Sequence, residues 1–531
     1  MCQHIYTTGG ALMRSAKQSL QSCKPKKETN MQIKYVPTHG ADASLRHIKC
    51  DVLLLGIQGP LDKHPLFGTL NSHCDGMLAS QAAFEGFTSE AGKTLVRALP
   101  NLGAAWVVVF GLSAGDPVSM RKGLKAAFDN AKKLKAKLVA LGPIASMDDN
   151  LLTIGELIGE IASTTNHNTL TYKTEHSGYK PPAQFDLLIA APREQHDELR
   201  LGVVKGKHIG DAINYGTDLA IEPANIVTPA VFRDRALSVV SNSNGTVVSR
   251  VLDRKALTEL NAQGILMVSR GSSEEPFLIE LTYTPETSKD ETAVVPELVL
   301  IGKTVTFDTG GNDLKTGEGM RQMKRDKTGG AYVLGAFRAI VALKLRIKVK
   351  AYFAATENMV GDSSFRPGDV FPTMSGRTVE VGNTDAEGRL TLVEAIEYAQ
   401  RNGAKYIVDV ATLTGAAKMT GGDVAPLVFG NNSEFTKLVS TAALMAHEKI
   451  LVQEMLDDVR KYNDSPIADV CNIGGAGGAG AMSAAWFIRE WVRPDVQWVH
   501  MDIANVHNKN DRSTGHTLRT LITLARLMSK K

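Results

Sequence analysis

Cysteine is scarce: five in 531 residues, at Cys2, Cys23, Cys50, Cys74 and Cys471, with no Cys-x-x-Cys pair. An odd, scattered set supplies neither a disulfide framework nor a thiolate zinc site, and it fits a reducing, intracellular compartment. No apolar run approaches the roughly 20 residues that span a bilayer, so no membrane partner is expected. An excess of one charge is also missing. Sixty lysines and arginines face 56 aspartates and glutamates, a net charge of +4, which gives no reason to expect nucleic acid as the main partner. Thirteen histidines include no His-Glu-x-x-His, which excludes the helix-borne zinc protease site. A serine-hydrolase elbow is not expected either.

Residues 1–30 differ from the rest. They carry Arg14, Lys17, Lys24, Lys26 and Lys27, with serines and no acidic residue before Glu28, a composition shared with mitochondrial transit peptides. Arginine is sparse and no amphipathic period shows, so the segment is read as a disordered extension. A cytoplasmic location is expected, with mitochondrial targeting as the alternative.

The remainder is too long for one core and reads as two α/β domains, 31–195 and 196–531. In the first, apolar runs at Val52–Gly56, Trp106–Gly111 and Leu138–Pro143, each stopped by glycine or proline, enclose a helical stretch from about Ser119 to Lys137. That is the βαβ pattern. The lysines at 122, 125, 132, 133, 135 and 137 are read as the solvated face of the helix. Asp186–Ala191 adds a strand, and the polar segment 192–200 marks the boundary. In the second domain, strands at Glu297–Ile301, Lys348–Phe353, Tyr406–Val410 and Trp498–Ile503 alternate with helices at Ala331–Leu343, Leu392–Asn402 and Ser483–Val492. The expected fold is a mixed or mostly parallel sheet with flanking helices in each domain, the site lying at the carboxyl ends of strands in the second.

Charged groups collect at those strand ends. Lys303, Asp308 and Lys315 follow one strand, Asp326 comes next, and Asp385 and Glu387 flank Ala386. On an extended segment, residues two apart point the same way. Asp385 and Glu387 then converge, and they repel unless a cation or a proton intervenes. Carboxylates without histidine favour a hard or borderline divalent cation bound through oxygen. A magnesium phosphatase site is equally compatible with carboxylates alone. Gly475-Ala476-Gly477-Gly478-Ala479-Gly480 formally matches the dinucleotide fingerprint, but only the short Ala468-Asp469-Val470 precedes it, so nicotinamide binding is not expected.

Taken together, these segments resemble the leucyl aminopeptidase family. Asn-Thr-Asp-Ala-Glu-Gly-Arg-Leu at 383–390 is similar to that family's signature octapeptide throughout. The series Gly302-Lys303, Thr306-Phe307-Asp308, Gly310-Gly311, Lys315, Met323, Asp326 follows the family pattern in order and spacing, as do Glu222-Pro223-Ala224-Asn225, Glu357-Asn358-Met359 and Ala411-Thr412-Leu413-Thr414-Gly415. The resemblance covers about residues 205–525. It implies a two-metal aminopeptidase acting on peptides with a free N-terminus, leucine or another apolar residue being released. By the same resemblance Asp308 and Glu387 bridge two divalent ions (zinc, with manganese, magnesium or cobalt as alternatives). Asp385 completes one ion; Asp326 and a neutral Lys303 complete the other. Lys315 and Arg389 are the implied catalytic pair, Lys315 for the oxyanion and Arg389 to hold a bicarbonate that acts as base. Met323, Thr412, Leu413 and Gly415 are the implied substrate-binding positions, and a homohexamer the implied assembly. A non-catalytic scaffold or DNA-binding member of the same fold is the alternative. There are departures. Thr309 stands where the family usually has serine, Asn312-Asp313 is more polar than usual, Thr316 replaces a frequent proline or small residue, and Lys327-Thr328 replaces a common methionine-glycine pair.

Overall fold

The computed structural model describes residues 31–38, 48–98, 103–144, 150–169, 171–286, 295–473 and 479–530. The extension assigned to residues 1–30 lies outside these. The chain forms two compact units, one up to Asn214 and one from Tyr215.

In the first unit the apolar runs form strands β1 (Ile33–Pro37), β2 (Cys50–Ile57), β3 (Thr94–Ala98), β4 (Ala104–Gly111), β5 (Leu138–Leu141) and β6 (Asp186–Ala191), ordered β1-β6-β5-β2-β4-β3. All neighbours are parallel except β3 against β4. The helix read as 119–137 spans Pro117–Lys133. Proline presets its first turn, and the Asp116 carboxylate caps it by accepting from Val118 N (2.9 Å) and Ser119 N (3.1 Å). It ends early because Lys135 adopts a left-handed φ of 57°, which turns the chain into β5. Leu124, Ala127, Phe128 and Ala131 pack into the core while Lys122, Lys125, Lys133, Lys135 and Lys137 are exposed, a solvated face as expected; Lys132 departs from it, half-buried and donating to Thr165 O (2.8 Å) and His167 O (2.7 Å).

The second unit is built on β7 (Val247–Leu252), β8 (Phe277–Tyr283), β9 (Glu297–Asp308), β10 (Lys348–Asn358), β11 (Val370–Pro372), β12 (Thr378–Glu380), β13 (Tyr406–Ala411), β14 (Leu427–Gly430), β15 (Leu451–Val452), β16 (Val470–Cys471) and β17 (Gln497–Asp502). Eight of them make one sheet, ordered β15-β14-β17-β13-β9-β10-β8-β7. The central β17, β13, β9 and β10 run parallel; β14 joins antiparallel at one side and the β8–β7 pair at the other. β9 is buried almost end to end, as a central strand covered on both faces must be. Its alternate residues divide between two helices. Val299 and Ile301 pack with Leu390, Val393 and Ile396 of the helix Glu387–Arg401. Gly302, on the opposite face, meets the start of the helix Thr328–Ala342: a Cβ added to Gly302 would lie 2.4 Å from the Gly330 Cα. This backbone-to-backbone approach brings the segment just before that helix down onto β9.

Candidate active site

Seven of the predicted residues, Lys303, Asp308, Lys315, Asp326, Asp385, Glu387 and Thr412, come together from five segments. Lys303 lies within β9 and Asp308 at its end. There the chain turns on Gly310 and Gly311, both left-handed (φ 88° and 64°), and returns so that Lys315 N bonds to Thr309 O at 2.9 Å. The turn places the Lys315 ammonium 2.9 Å from Asp308 Oδ2 and against Asp385 Oδ1. A 3-10 stretch, Gly317–Arg325, then carries Met323 and delivers Asp326 beside Lys303, at 2.8 Å. Glu387 Oε1 approaches the same ammonium, also at 2.8 Å. Lys303, Asp308, Asp326 and Glu387 are all at least 95% buried.

Asp385 and Glu387 do converge, but not for the reason inferred from spacing. Asp385 lies in a turn and Glu387 is the first residue of the helix Glu387–Arg401, so the segment is not extended. Convergence comes from the turn, whose Asp385 N bonds to Asn383 Oδ1 at 2.6 Å. Oxygens of Asp308, Asp385 and Glu387 all lie within 4.8 Å of one another. Three buried carboxylate oxygens, Asp326 Oδ2, Asp385 Oδ1 and Glu387 Oε1, have a lysine ammonium beside them and no hydrogen bond of good geometry. Buried anionic oxygens that converge and are met only by two lysines are what divalent cations satisfy, so the donor set fits metal.

The electrostatics agree. Burial, with the neighbouring Glu387 charge, pushes the Asp308 carboxyl up to about 7. Burial likewise raises Asp326 and Glu387. For Lys303 burial opposes the charge, but Asp326, Glu387 and Asp308 outweigh it and hold the ammonium above the ordinary lysine range. Without metal the site is thus a cluster of acids restrained by two lysines. Asp308 titrates higher folded than its unfolded value of roughly 3.9. Its contribution to stability is therefore fully present below that value and is lost as pH rises through about 7. In metal-free protein, the Tm advantage of Asp308→Asn over the parent is expected to grow between about pH 4.5 and 7.5. An advantage that is flat or shrinking over that window would contradict this reading.

Arg389, on the same helix as Glu387, is 6% exposed. Its Nη1 donates to Asn472 O at 2.6 Å while its buried Nε has no partner. Burial lowers it to about 10, so it stays protonated at neutral pH. Thr412, just after β13, donates to Asp326 Oδ1 at 2.8 Å, and its carbonyl accepts from Lys303 at 3.0 Å. Leu413 N donates to Asp502 Oδ1 at 3.2 Å. Gly415 has open space where a side chain would be, and Met323 is half-buried.

Several residues that shape the site carried no role in the sequence reading. Asn358 Nδ2 donates to Asp308 Oδ1 (2.8 Å) and to Thr384 O (3.0 Å); it sat inside a matched motif, which was the available signal. Asn472 is fully buried and grips the 382–386 turn through both side-chain ends as well as holding Arg389. Asp502 accepts from Leu413 N, Thr414 N and Thr414 Oγ1. Asp313, noted only as a departure, clasps Thr384. Its Oδ2 accepts from Thr384 N at 2.7 Å and its N donates to Thr384 Oγ1 at 2.8 Å, so the Lys315 turn is tied to the Asp385 turn. Asp313→Ala is expected to lower kcat/KM about ten- to a hundredfold at saturating metal, the loss of one or two such bonds. Steady-state kinetics on leucine p-nitroanilide check it, and an unchanged kcat/KM would show that the clasp positions nothing.

The chain does contain one Gly-x-Ser-x-Gly pentapeptide, Gly111–Gly115, the pattern a serine-hydrolase elbow would use. It follows β4, and Ser113 is left-handed (φ 47°) as a nucleophile elbow requires. Its Oγ accepts from Ala91 N at 2.8 Å, and among the described residues no histidine hydrogen-bonds to it, so the base that would activate it is missing. The glycine-rich segment around 475–480 lies largely outside the described residues. The β16 strand before it belongs to a three-stranded sheet with β11 and β12 rather than to a Rossmann unit.

Comparison with known proteins places the residues of this site inside a stretch matched by a known family. Residues 214–522 match the cytosol aminopeptidase family, catalytic domain. A probable cytosol aminopeptidase of Solibacter usitatus is 36% identical over 491 residues, covering 91% of this chain and 97% of the relative. Among solved structures, a mutant of tomato leucine aminopeptidase superposes with a TM-score of 0.84 at 26% identity, covering 95% of this chain and 98% of that one. The bottromycin maturation enzyme BotP in complex with Mn superposes with a TM-score of 0.77 at 27% identity, covering 90% and 99%.

Proposed function

From the premise that this chain belongs to the cytosol aminopeptidase family and is a metal-dependent aminopeptidase, we propose that it removes N-terminal leucine or other apolar residues from peptides at a two-cation site. The observation that carries the reading is the convergence of Asp308, Asp385 and Glu387 within 4.8 Å beside a buried Lys303. Asp308 and Glu387 would bridge the ions, Asp385 would complete one, and Asp326 with Lys303 the other. Two such cations supply Lewis-acid polarisation of the scissile carbonyl and activation of water near neutral pH. An oxygen-rich donor set accepts zinc, manganese, magnesium or cobalt.

The chain's own groups supply the rest. Lys303 ligates only after losing its proton, which frees the Asp326 and Glu387 oxygens it now pairs with. Lys315 keeps its charge and donates to the oxygen of the scissile carbonyl as negative charge develops there. Arg389 is too basic to take a proton, but its unpartnered buried Nε suits it to hold an anion, for which bicarbonate is the proposed occupant and base. A site that binds the free α-amine selects chain ends. Met323, Thr412 and Gly415 then frame the first side chain. Leu413 can offer only its carbonyl, because its N–H is committed to Asp502.

The test is hydrolysis of a panel of amino-acid p-nitroanilides by chelated protein, then with zinc, manganese or cobalt restored, with and without bicarbonate. Metal-restored release favouring leucine supports the reading. Release that ignores bicarbonate in both the parent and Arg389→Ala would remove the anion from it. A homohexamer in the cytoplasm is proposed on the family resemblance. No helix among the described residues is long and apolar enough to cross a membrane. A monomer by light scattering at micromolar concentration would overturn the hexamer.

A further inference from the structure

The first unit holds a cavity of about 850 Å³ between the edge strand β1 and the start of the helix His196–Ile221. Every charged side chain that lines it is basic: Lys34, Arg193, Arg200 and Lys207, joined by Tyr35 and His196. The chain as a whole is nearly neutral, so composition does not explain this clustering. Among the described residues only Lys207 has an acidic partner, Asp211 Oδ2 at 2.5 Å. Like charges gathered in a concave surface repel and focus a positive potential into it, and an anion relieves both.

The lining is held in place. The Arg200 guanidinium sits over the Tyr35 ring at 5.1 Å. The His196 ring lies 5.6 Å from the same ring, and its Nε2 is anchored to Ala191 O at 2.9 Å. Burial pushes the Tyr35 hydroxyl up to about 12, so it remains a neutral donor. Lysine, arginine and tyrosine here present hydrogen-bond donors, with no carboxylate among them. The complementary ligand offers only acceptors, carries about as many negative charges as the three unpaired cations, and suits guanidinium forks. A monocarboxylate brings too little charge, whereas a di- or triphosphate brings enough. The volume lies within the range of small-molecule pockets.

We propose that this groove is a binding site for a small oligophosphate anion, either inorganic or borne by a nucleotide. The site is separate from the peptidase residues in sequence and uses none of them, so its test does not depend on the catalytic reading.

Isothermal titration of the full-length, metal-loaded protein with sodium tripolyphosphate, ADP and citrate tests it, at low and at moderate salt. Tripolyphosphate is expected to bind in the micromolar range, more weakly as salt rises. Arg200→Glu should weaken it at least about tenfold, the loss of a charge-assisted contact, while leucine p-nitroanilide hydrolysis without phosphate stays at the parent level. Stripping of catalytic metal by phosphate affects parent and variant alike, so the difference between them is what is read. Lys34→Gln provides a second, milder variant should Arg200→Glu fold poorly. ADP binding as tightly as tripolyphosphate supports a nucleotide source; tripolyphosphate alone supports an inorganic one. No heat above millimolar affinity, equal binding of citrate, or variants that bind as the parent does would overturn the proposal.

Discussion

Glu387→Ala is expected to lower kcat/KM by about four orders of magnitude or more, because it removes a carboxylate that both cations would share in the proposed site. Glu387 is 1% exposed and its Oε1 lies 2.8 Å from the Lys303 ammonium. In metal-free protein the substitution also leaves that ammonium with Asp326 as its remaining close carboxylate, beside the Thr412 carbonyl. Removing one partner of a buried ion pair typically costs about 3–5 kcal/mol, so the metal-free variant should melt well below the parent. Glu387→Gln separates the two effects. It keeps the volume at the head of the helix and loses only the charge, so it should recover part of the Tm and none of the activity. A Gln variant with parental turnover would show that the carboxylate is structural.

The second large effect concerns the fold that assembles the site. Gly329 opens the helix Thr328–Ala342 directly against the central sheet, and a Cβ there would lie 2.1 Å from Val410 O and 3.1 Å from Lys303 N. Both contacts are with backbone, which no rotamer change relieves. Gly329→Val must therefore lift the helix off β9 and β13, separating Asp326 from Lys303. The expected cost is about 3 kcal/mol or more, at the upper end for overpacking, with a fall in Tm of more than about 5 °C and loss of tight metal binding. Differential scanning calorimetry with and without metal checks this. A variant that melts like the parent would mean that the close approach is not needed.

The buried parallel strands were legible because strands covered on both faces must read as apolar runs. β2, β4, β9, β10, β13 and β17 were all anticipated, though β9 and β10 run further, to Asp308 and Asn358, than the apolar core of each run suggested. The antiparallel pair β7 and β8 was not seen. β7, an edge strand, is exposed at Val248, Ser249 and Arg250 and so lacks that signature. The charged site residues stood out because carboxylates and lysines at the ends of apolar strands need an explanation. Of the residues that position them, Asn358 lay inside a matched motif, whereas Asn472, Asp502 and Asp313 act through contacts across as many as 90 residues of sequence, such as Asn472 Oδ1 with Gly382 N, and no local pattern encodes these. The spacing argument for Asp385 and Glu387 reached the right neighbours by the wrong geometry, since a turn followed by a helix start converges them as well as a strand would.

The most direct test of the central claim is a metal titration of chelated protein, with bound ions counted by equilibrium dialysis and leucine p-nitroanilide hydrolysis followed in parallel. The account predicts two divalent ions per chain in the parent, activity that rises with occupancy, and at most one tightly bound ion with no turnover in Glu387→Ala. Full activity in the chelated protein, or a Glu387→Ala variant that binds two ions and turns over like the parent, would contradict it.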